Sequence, residues 1–152
     1  MSEKGRNSTV IQNRKARHEY FIEEELTAGI VLTGTEVKSL RSGKASLEEG
    51  YCYVEQDEVF VKGMNIAIYE QGSYNNHDPF RTRKLLLKKR EIRRLAKSTE
   101  RQGYTIVPLR LYFNDRNLVK VDIGLAKGKK LYDKRETLKE RDVQRELDRR
   151  QW

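Results

Sequence analysis

The sequence of 152 residues is poor in the side chains that form disulfides and zinc sites. It has one cysteine, Cys52, and two histidines, His18 and His77. A single thiol cannot form an internal disulfide, and these three side chains do not supply a Cys/His zinc site. We therefore predict no metal, no cofactor and a reducing cytoplasmic setting.

Long apolar runs are also missing. No segment approaches the roughly 20 apolar residues that span a bilayer, and the first 17 residues are polar and do not resemble a secretion signal. The pattern predicts a soluble chain without a membrane partner.

Catalytic groups at a recognisable spacing are lacking as well. The neighbouring carboxylates Glu23, Glu24 and Glu25 are typical of surface charge, and His77-Asp78-Pro79 is typical of a turn. No nucleophile, base and orienting residue occur together. We expect no enzyme.

Positive charge, in contrast, is abundant and unevenly distributed. The chain has 32 Lys and Arg against 23 Asp and Glu, a formal net charge of +9. Residues 21–80 carry 4 basic and 11 acidic groups, whereas residues 81–101 carry 10 basic and 2 acidic groups. This distribution favours a polyanionic partner, with nucleic acid ahead of an anionic membrane surface, for which the apolar stripe of residues 87–102 is too narrow.

Short segments rich in β-branched and aromatic residues predict a mainly β fold. A first helix is expected from Thr35, as its N-cap, to Gly43, and a second over residues 87–102. Gln56-Asp57 and Asn114-Asp115-Arg116-Asn117 predict two hairpin turns, and Pro108 predicts a strand edge or bulge. Six or seven strands in this length predict a barrel or sandwich, with strands over residues 18–22, 29–32, 51–55, 59–62, 64–69, 104–113 and 118–123.

The segment GLAKGKK, residues 124–130, is not the phosphate loop of nucleotide hydrolases, because Lys130 stands where a hydroxyl is required. We interpret it as a flexible glycine pair that could close on a nucleic-acid backbone; a solvated lysine loop is the alternative. The residues after it have few apolar side chains and are expected to be mobile when free. On a helical wheel one stripe of this tail lies within roughly 80° and holds Lys134, Leu138, Arg141, Arg145, Arg149 and Trp152.

Five stretches together resemble the bacterial small protein B family, also called SsrA-binding or transfer-messenger RNA-binding proteins. They occur in the family's order over residues 13–20 (NRKARHEY), 29–41 (GIVLTGTEVKSLR), 76–92 (NHDPFRTRKLLLKKREI), 107–113 (VPLRLYF) and 119–142 (VKVDIGLAKGKKLYDKRETLKERD). The resemblance implies a closed oligonucleotide-binding-type β-barrel with two or three packed helices and a flexible basic C-terminal tail. The expected boundaries are a flexible N-terminus over 1–12, the barrel over 13–130, and a tail over 131–152 that is disordered when free and helical on the ribosome.

The resemblance also implies a function. Members of this family bind the tRNA-like domain of transfer-messenger RNA and deliver it to stalled ribosomes for trans-translation, with the ribosome's decoding centre and message channel in 16S rRNA as further partners. A monomeric, cytoplasmic, non-enzymatic adaptor is therefore expected. Thr27 and Phe80 depart from the family pattern, which often has an acid and a smaller residue there.

Residue by residue, the resemblance and the glycine-lysine segment imply three groups of contacts. The expected contacts with transfer-messenger RNA are Asn13, Arg14, Lys15, Glu36, Lys38, Arg41, Lys127, Gly128, Lys129 and Lys130. His18 and Tyr20 are expected at the decoding centre. The expected message-channel residues are Asp133, Lys134, Arg135, Lys139, Arg141, Arg145 and Trp152.

Two other functions fit the charge pattern. A general ribosomal or single-strand RNA-binding protein would prefer extended RNA to a folded tRNA-like target. An RNA-processing enzyme that uses His18 or His77 would cleave the RNA it binds.

Overall fold

The computed structural model describes residues 10–69 and 76–129. The described residues form three helices, α1 (Arg14–Glu19), α2 (Gly34–Arg41) and α3 (Lys89–Thr99). Their strands are β1 (Val10–Gln12), β2 (Tyr20–Ile30), β3 (Ala45–Ser46), β4 (Tyr51–Glu55), β5 (Glu58–Lys62), β6 (Asn65–Ile66), β7 (Arg83–Leu86), β8 (Tyr104–Phe113) and β9 (Val119–Gly128). The prediction of a mainly β chain with packed helices is confirmed.

The strand pairings connect in a ring. One antiparallel sheet has the order β1-β8-β4-β5-β7-β2-β9, and β8 also pairs with β9. Six strands, β2, β4, β5, β7, β8 and β9, thus have a partner on each side, while β3 and β6 pair separately. Pairing on both sides satisfies the backbone groups that an edge strand would expose.

The ring encloses the main core. Alternation along the strands turns one face of each inward, so that Val59, Val61, Ile106 and Ile123 have no exposed surface. Helix α3 buries Ile92 and Leu95 against this core, as its apolar stripe predicts. Its opposite side carries exposed Lys and Arg side chains.

Helix α2 begins two residues earlier than predicted. Thr33 is the N-cap: its hydroxyl accepts the Glu36 N–H, and the Glu36 carboxylate accepts the Thr33 N–H at 2.8 Å, which completes a capping box. The predicted cap, Thr35, instead forms a hydrogen bond with His77 Nδ1 at 2.9 Å. The predicted end is confirmed, because Gly43 adopts a φ of 70° directly after the helix.

The N-terminal part of the sheet corrects two predictions. His18 lies in helix α1 and not in a strand. Strand β2 is one element of 11 residues, although two separate strands were predicted. In its middle, Glu23 and Glu25 are exposed, whereas Glu24 between them is partly buried and forms an ion pair with Arg94 of α3. The register of β2 on β9 shifts between Ile22 and Glu24, but the strand continues.

The segment 124–128 is not a flexible glycine pair. It continues β9, and Gly124 and Leu125 are buried there. A Cβ at Gly124 would lie 2.9 Å from both Ile22 Cγ2 and Leu109 Cδ1, so glycine is needed for close packing and not for flexibility.

The predicted turns and the irregularity at Pro108 are confirmed. Gln56 and Asp57 adopt positive φ angles of 50° and 61° between β4 and β5. In the second turn the Asn114 side chain accepts the N–H groups of Arg116 and Leu118 at 3.0 and 2.9 Å. The register of β8 on β9 shifts between Pro108 and Arg110.

Candidate nucleic-acid interface

One end of the sheet carries lysines over aromatic rings. The end of β9 lies between β2 and β8, because Lys127 pairs with both Phe21 and Tyr104. Lys127 Nζ lies 5.7 Å from the Tyr104 ring centroid, and Arg101 Cζ lies 4.1 Å from the same centroid. Lys129 Nζ lies 5.2 Å from the Phe21 ring centroid. We call this group, Phe21, Arg101, Tyr104, Lys127 and Lys129, the lysine end.

The lysine end is continuous with helix α1. Lys129 Nζ donates to the Arg17 carbonyl at 3.3 Å, and Gly128 pairs with Tyr20. His18 is exposed in the last turn of α1, and Tyr20 is half-buried. Cations beside aromatic rings are the combination that binds phosphates and unstacked bases of RNA.

Tyr20 also borders a cleft of about 460 Å³ between α1 and the start of β4. Three carboxylates, Glu19, Glu48 and Glu49, line it, and Lys15 donates to Glu49 at 3.0 Å. The hydrogen bond to Glu49 raises the pKa of the Lys15 ammonium. This cleft is therefore less favourable for a phosphate than the lysine end.

Asn13 has an internal role. Its side chain is buried, accepts the Ala16 N–H at 3.0 Å as the N-cap of α1, and donates to Leu47 O at 3.1 Å and Pro108 O at 2.8 Å. The predicted direct contact of Asn13 with RNA does not fit this position. Its neighbour Arg14 is exposed.

Glu36 is likewise buried and not on the surface. Its side chain has 0% exposure. Oε2 accepts Arg83 Nε at 2.6 Å, and Oε1 accepts Arg81 Nη2 at 2.7 Å and the Thr33 N–H at 2.8 Å. Burial alone would raise the pKa of Glu36, but the hydrogen bonds from Arg81 and Thr33 and the charge of Arg83 outweigh it and lower that pKa. A direct contact with RNA does not fit this carboxylate.

The other predicted residues of α2 are exposed cations. Lys38 Nζ lies 5.5 Å from the Tyr69 ring centroid, and Arg41 Cζ lies 5.9 Å from the Phe113 centroid. Their positions on one helix allow both to reach the same RNA backbone.

The predicted RNA contacts fall into two groups and not one. Arg41 lies beside Phe113, at one end of β8, and Phe113 pairs with Val119 of β9. The lysine end lies at the other end of β8, where Tyr104 pairs with Lys127 of β9. Lys127 is eight residue steps along the strand from Val119, or roughly 26 Å.

An apolar groove beside α2 was missed by the sequence reasoning. Leu86 and Leu118 are 52% and 55% exposed, and with Val37 and Lys120 they border a groove of about 280 Å³. The run Leu85-Leu86-Leu87 held a signal: in a strand, neighbouring side chains point to opposite faces, so one leucine had to face outward.

Asp122 organises the outer face of β2, β8 and β9. Its Oδ1 accepts Thr27 Oγ1 at 2.9 Å and the Tyr112 hydroxyl at 3.0 Å, and its Oδ2 accepts Arg110 Nε at 3.2 Å. Arg110 also stacks on Tyr112, with Cζ 4.4 Å from the ring centroid. Thr27 thus faces a carboxylate supplied by the neighbouring strand.

Within residues 10–69 and 76–129, no group of three His, Cys, Asp or Glu side chains could hold a metal ion. A helix long and apolar enough to cross a membrane is likewise absent from this part of the chain. Lys130 and the predicted message-channel residues of 131–152 lie outside the described residues.

Comparisons with known proteins agree with one another. A sequence profile described as SmpB protein matches residues 10–151. An SsrA-binding protein of Geobacillus thermodenitrificans is 54% identical over 146 residues, which cover 96% of this chain and 94% of the relative. An SsrA-binding protein of Acetivibrio thermocellus is 57% identical over 141 residues, 93% of this chain and 91% of the relative. A chain of the solved structure "tmRNA-SmpB: a journey to the center of the bacterial ribosome" is 52% identical, with a TM-score of 0.69 over 80% of this chain and 85% of that chain.

Proposed function

This chain belongs to the SmpB protein family, and we propose from that premise that it is an RNA-binding adaptor of trans-translation. It binds the tRNA-like domain of transfer-messenger RNA and delivers it to stalled ribosomes for rescue and peptide tagging. The observation that carries the proposal is a sequence identity above 50% to SsrA-binding proteins over almost the whole chain.

The lysine end supplies a chemical basis for RNA binding. Lys127 and Lys129 bring charge to phosphates, while Phe21 and Tyr104 beneath them offer rings to unstacked bases. His18 and Tyr20 lie beside this group and would face the decoding centre. Asn13 and Glu36 would act indirectly, by fixing α1 and α2, which carry Arg14, Lys15, Lys38 and Arg41.

The finer architecture belongs to the same proposal. The ring of strand pairings and the buried core support a closed barrel of the oligonucleotide-binding type. The expected flexible N-terminus over 1–12 is wrong at Val10–Gln12, which form β1 and pair with β8. We therefore take the RNA-binding unit from Val10 to residue 130, and residues 131–152 as the tail that enters the message channel. The adaptor is monomeric and cytoplasmic, and it catalyses no reaction on the RNA.

Replacing Lys127 and Lys129 by Ala should weaken binding to the tRNA-like domain. Each lost phosphate contact reduces the magnitude of the negative slope of log K against log salt by about 0.7–0.9. Titrations with labelled RNA at several salt concentrations measure this slope. The matched control is Lys62→Ala, which removes an exposed lysine at the end of β5, beside Tyr51 in the strand ladder. Equal slopes for the wild type, the Lys127 and Lys129 double variant and Lys62→Ala would contradict the proposed contact.

A general single-strand RNA-binding protein is the second candidate. The observation in its favour is that the lysine end places Lys127 over Tyr104 and Lys129 over Phe21. Base stacking on aromatic rings requires no particular base order. Such a protein would bind extended RNA as tightly as a folded tRNA-like domain.

A further inference from the structure

A turn directly before β7 presents an exposed aromatic side chain. Asp78 holds this turn, because its Oδ1 accepts the Phe80 N–H at 3.0 Å and its carbonyl accepts the Arg81 N–H at 3.1 Å. The Phe80 side chain is 58% exposed, the highest value among the exposed large hydrophobic residues described. An aromatic ring on an ordered turn can stack with little loss of conformational entropy.

The next residue, Arg81, is fixed in one orientation. Its Nε donates to Glu36 Oε2 at 3.3 Å, and its Nη2 donates to Glu36 Oε1 at 2.7 Å and to Val31 O at 3.1 Å. A guanidinium has five N–H donors, and these bonds use the one on Nε and both on Nη2. Within residues 10–69 and 76–129 the two donors of Nη1 have no partner, and the side chain is 35% exposed.

The carboxylate that holds Arg81 is itself immobile. Glu36 has no exposed surface and also accepts Arg83 Nε at 2.6 Å. Arg83 is equally buried, and it donates to Met64 O at 2.9 Å and Pro79 O at 3.1 Å. Glu36, which Arg83 holds in place, therefore fixes the plane of the exposed Arg81 guanidinium before any ligand arrives.

The chemistry of the two side chains favours an RNA ligand. Arg81 is also the first residue of the basic run 81–101, which carries 10 basic and 2 acidic groups along the sequence. A fixed arginine with free donors suits a phosphate, and an exposed ring one residue away suits the base attached to that phosphate.

We propose that this turn is an RNA contact in which Arg81 binds a phosphate through Nη1 and Phe80 stacks on an unpaired base. The inference rests on the proposed function and adds a site to it. Glu36 is then a positioning residue that acts through Arg81, so the role in RNA binding expected for Glu36 becomes an indirect one.

The first test is Phe80→Ala, measured by titration against the tRNA-like domain of transfer-messenger RNA. Loss of one stacked base should weaken binding about 5- to 150-fold, while the salt slope stays at the wild-type value because no charge is removed. The melting temperature should change little, since the ring is largely exposed. Tyr51→Ala is the matched control: Tyr51 is 44% exposed and lies by the carboxylates Glu48 and Glu49, so binding should be unchanged.

The second test is Arg81→Ala, for which the magnitude of the negative salt slope should fall by about 0.7–0.9. A purely structural role would lower stability without changing this slope. Thr35→Val is the matched control, because it removes the hydrogen bond to His77 in the same region without removing a charge. In the Glu36→Gln background, where Arg81 is no longer clamped by a carboxylate, Arg81→Ala should weaken binding less than it does in the wild type.

The contact would be overturned if Phe80→Ala bound with wild-type affinity and Arg81→Ala kept the wild-type salt slope. The proposed function would still stand in that case. Failure of the unaltered protein to bind the tRNA-like domain would overturn both.

Discussion

Glu36→Ala should lower the free energy of unfolding by about 3–5 kcal/mol, the cost of breaking a buried ion pair by removing one partner. Arg83 has no exposed surface, and without Glu36 its charge is left uncompensated in the core. The loss of the capping box at Thr33 adds to the effect. Urea denaturation at neutral pH, followed by circular dichroism, measures the change.

Glu49→Ala is the matched control for this result. Glu49 also accepts a hydrogen bond from a cation, Lys15, but its side chain is 76% exposed. Water screens an exposed pair, so the loss of stability should be small. Similar losses for Glu36→Ala and Glu49→Ala would contradict the structural role given to Glu36.

The ion pairs of Glu36 with Arg81 and Arg83 make the free energy of unfolding depend on pH in the acidic range. The pKa of Glu36 in the folded protein is lowered from its ordinary value of 4.5. Ionised Glu36 therefore contributes fully to the free energy of unfolding above its ordinary pKa. This contribution is lost as the pH falls through the lower pKa of the folded protein. Glu36→Gln, which cannot titrate, should remove this component from the acid branch of the stability curve.

Truncation after Asp133 should abolish rescue of stalled ribosomes and leave RNA affinity nearly unchanged. The lysine end and α2 precede the truncation and retain their cations, whereas the predicted message-channel residues from Lys134 onward are removed. Two assays on the same protein separate the roles: titration with the tRNA-like domain, and peptide tagging on ribosomes stalled on a message without a stop codon.

A control for the truncation keeps the length of the tail. Full-length chains with Lys139, Arg141 and Arg145 replaced by Gln should lose part of the rescue activity and none of the RNA affinity. Loss of affinity for the tRNA-like domain in the truncated chain would contradict this division of roles.

Local signals predicted much of the fold. Both described hairpin turns, the bulge after Pro108 and the apolar stripe of α3 depend on residues close in sequence. The continuation of β9 did not follow from such signals, because the reason for Gly124 is its approach to Ile22 and Leu109, which are distant along the chain.

The candidate site was less accessible to sequence reasoning. The glycine-lysine segment selected Lys127 at the lysine end. The family resemblance selected Lys129 and Glu36, without revealing that Glu36 is buried. The arginines that surround Glu36 are 45 and 47 residues away, so no spacing pattern links them. The exposure of Phe80 and the groove beside Leu86 likewise result from tertiary packing.

The most direct test of the central claim is a competition titration at physiological salt. The purified full-length protein is titrated with the tRNA-like domain of transfer-messenger RNA, with ordinary tRNA and an unstructured RNA of equal length as competitors. An adaptor of trans-translation should prefer the tRNA-like domain strongly over both competitors. Equal binding to all three RNAs would contradict this function and leave a general RNA-binding protein.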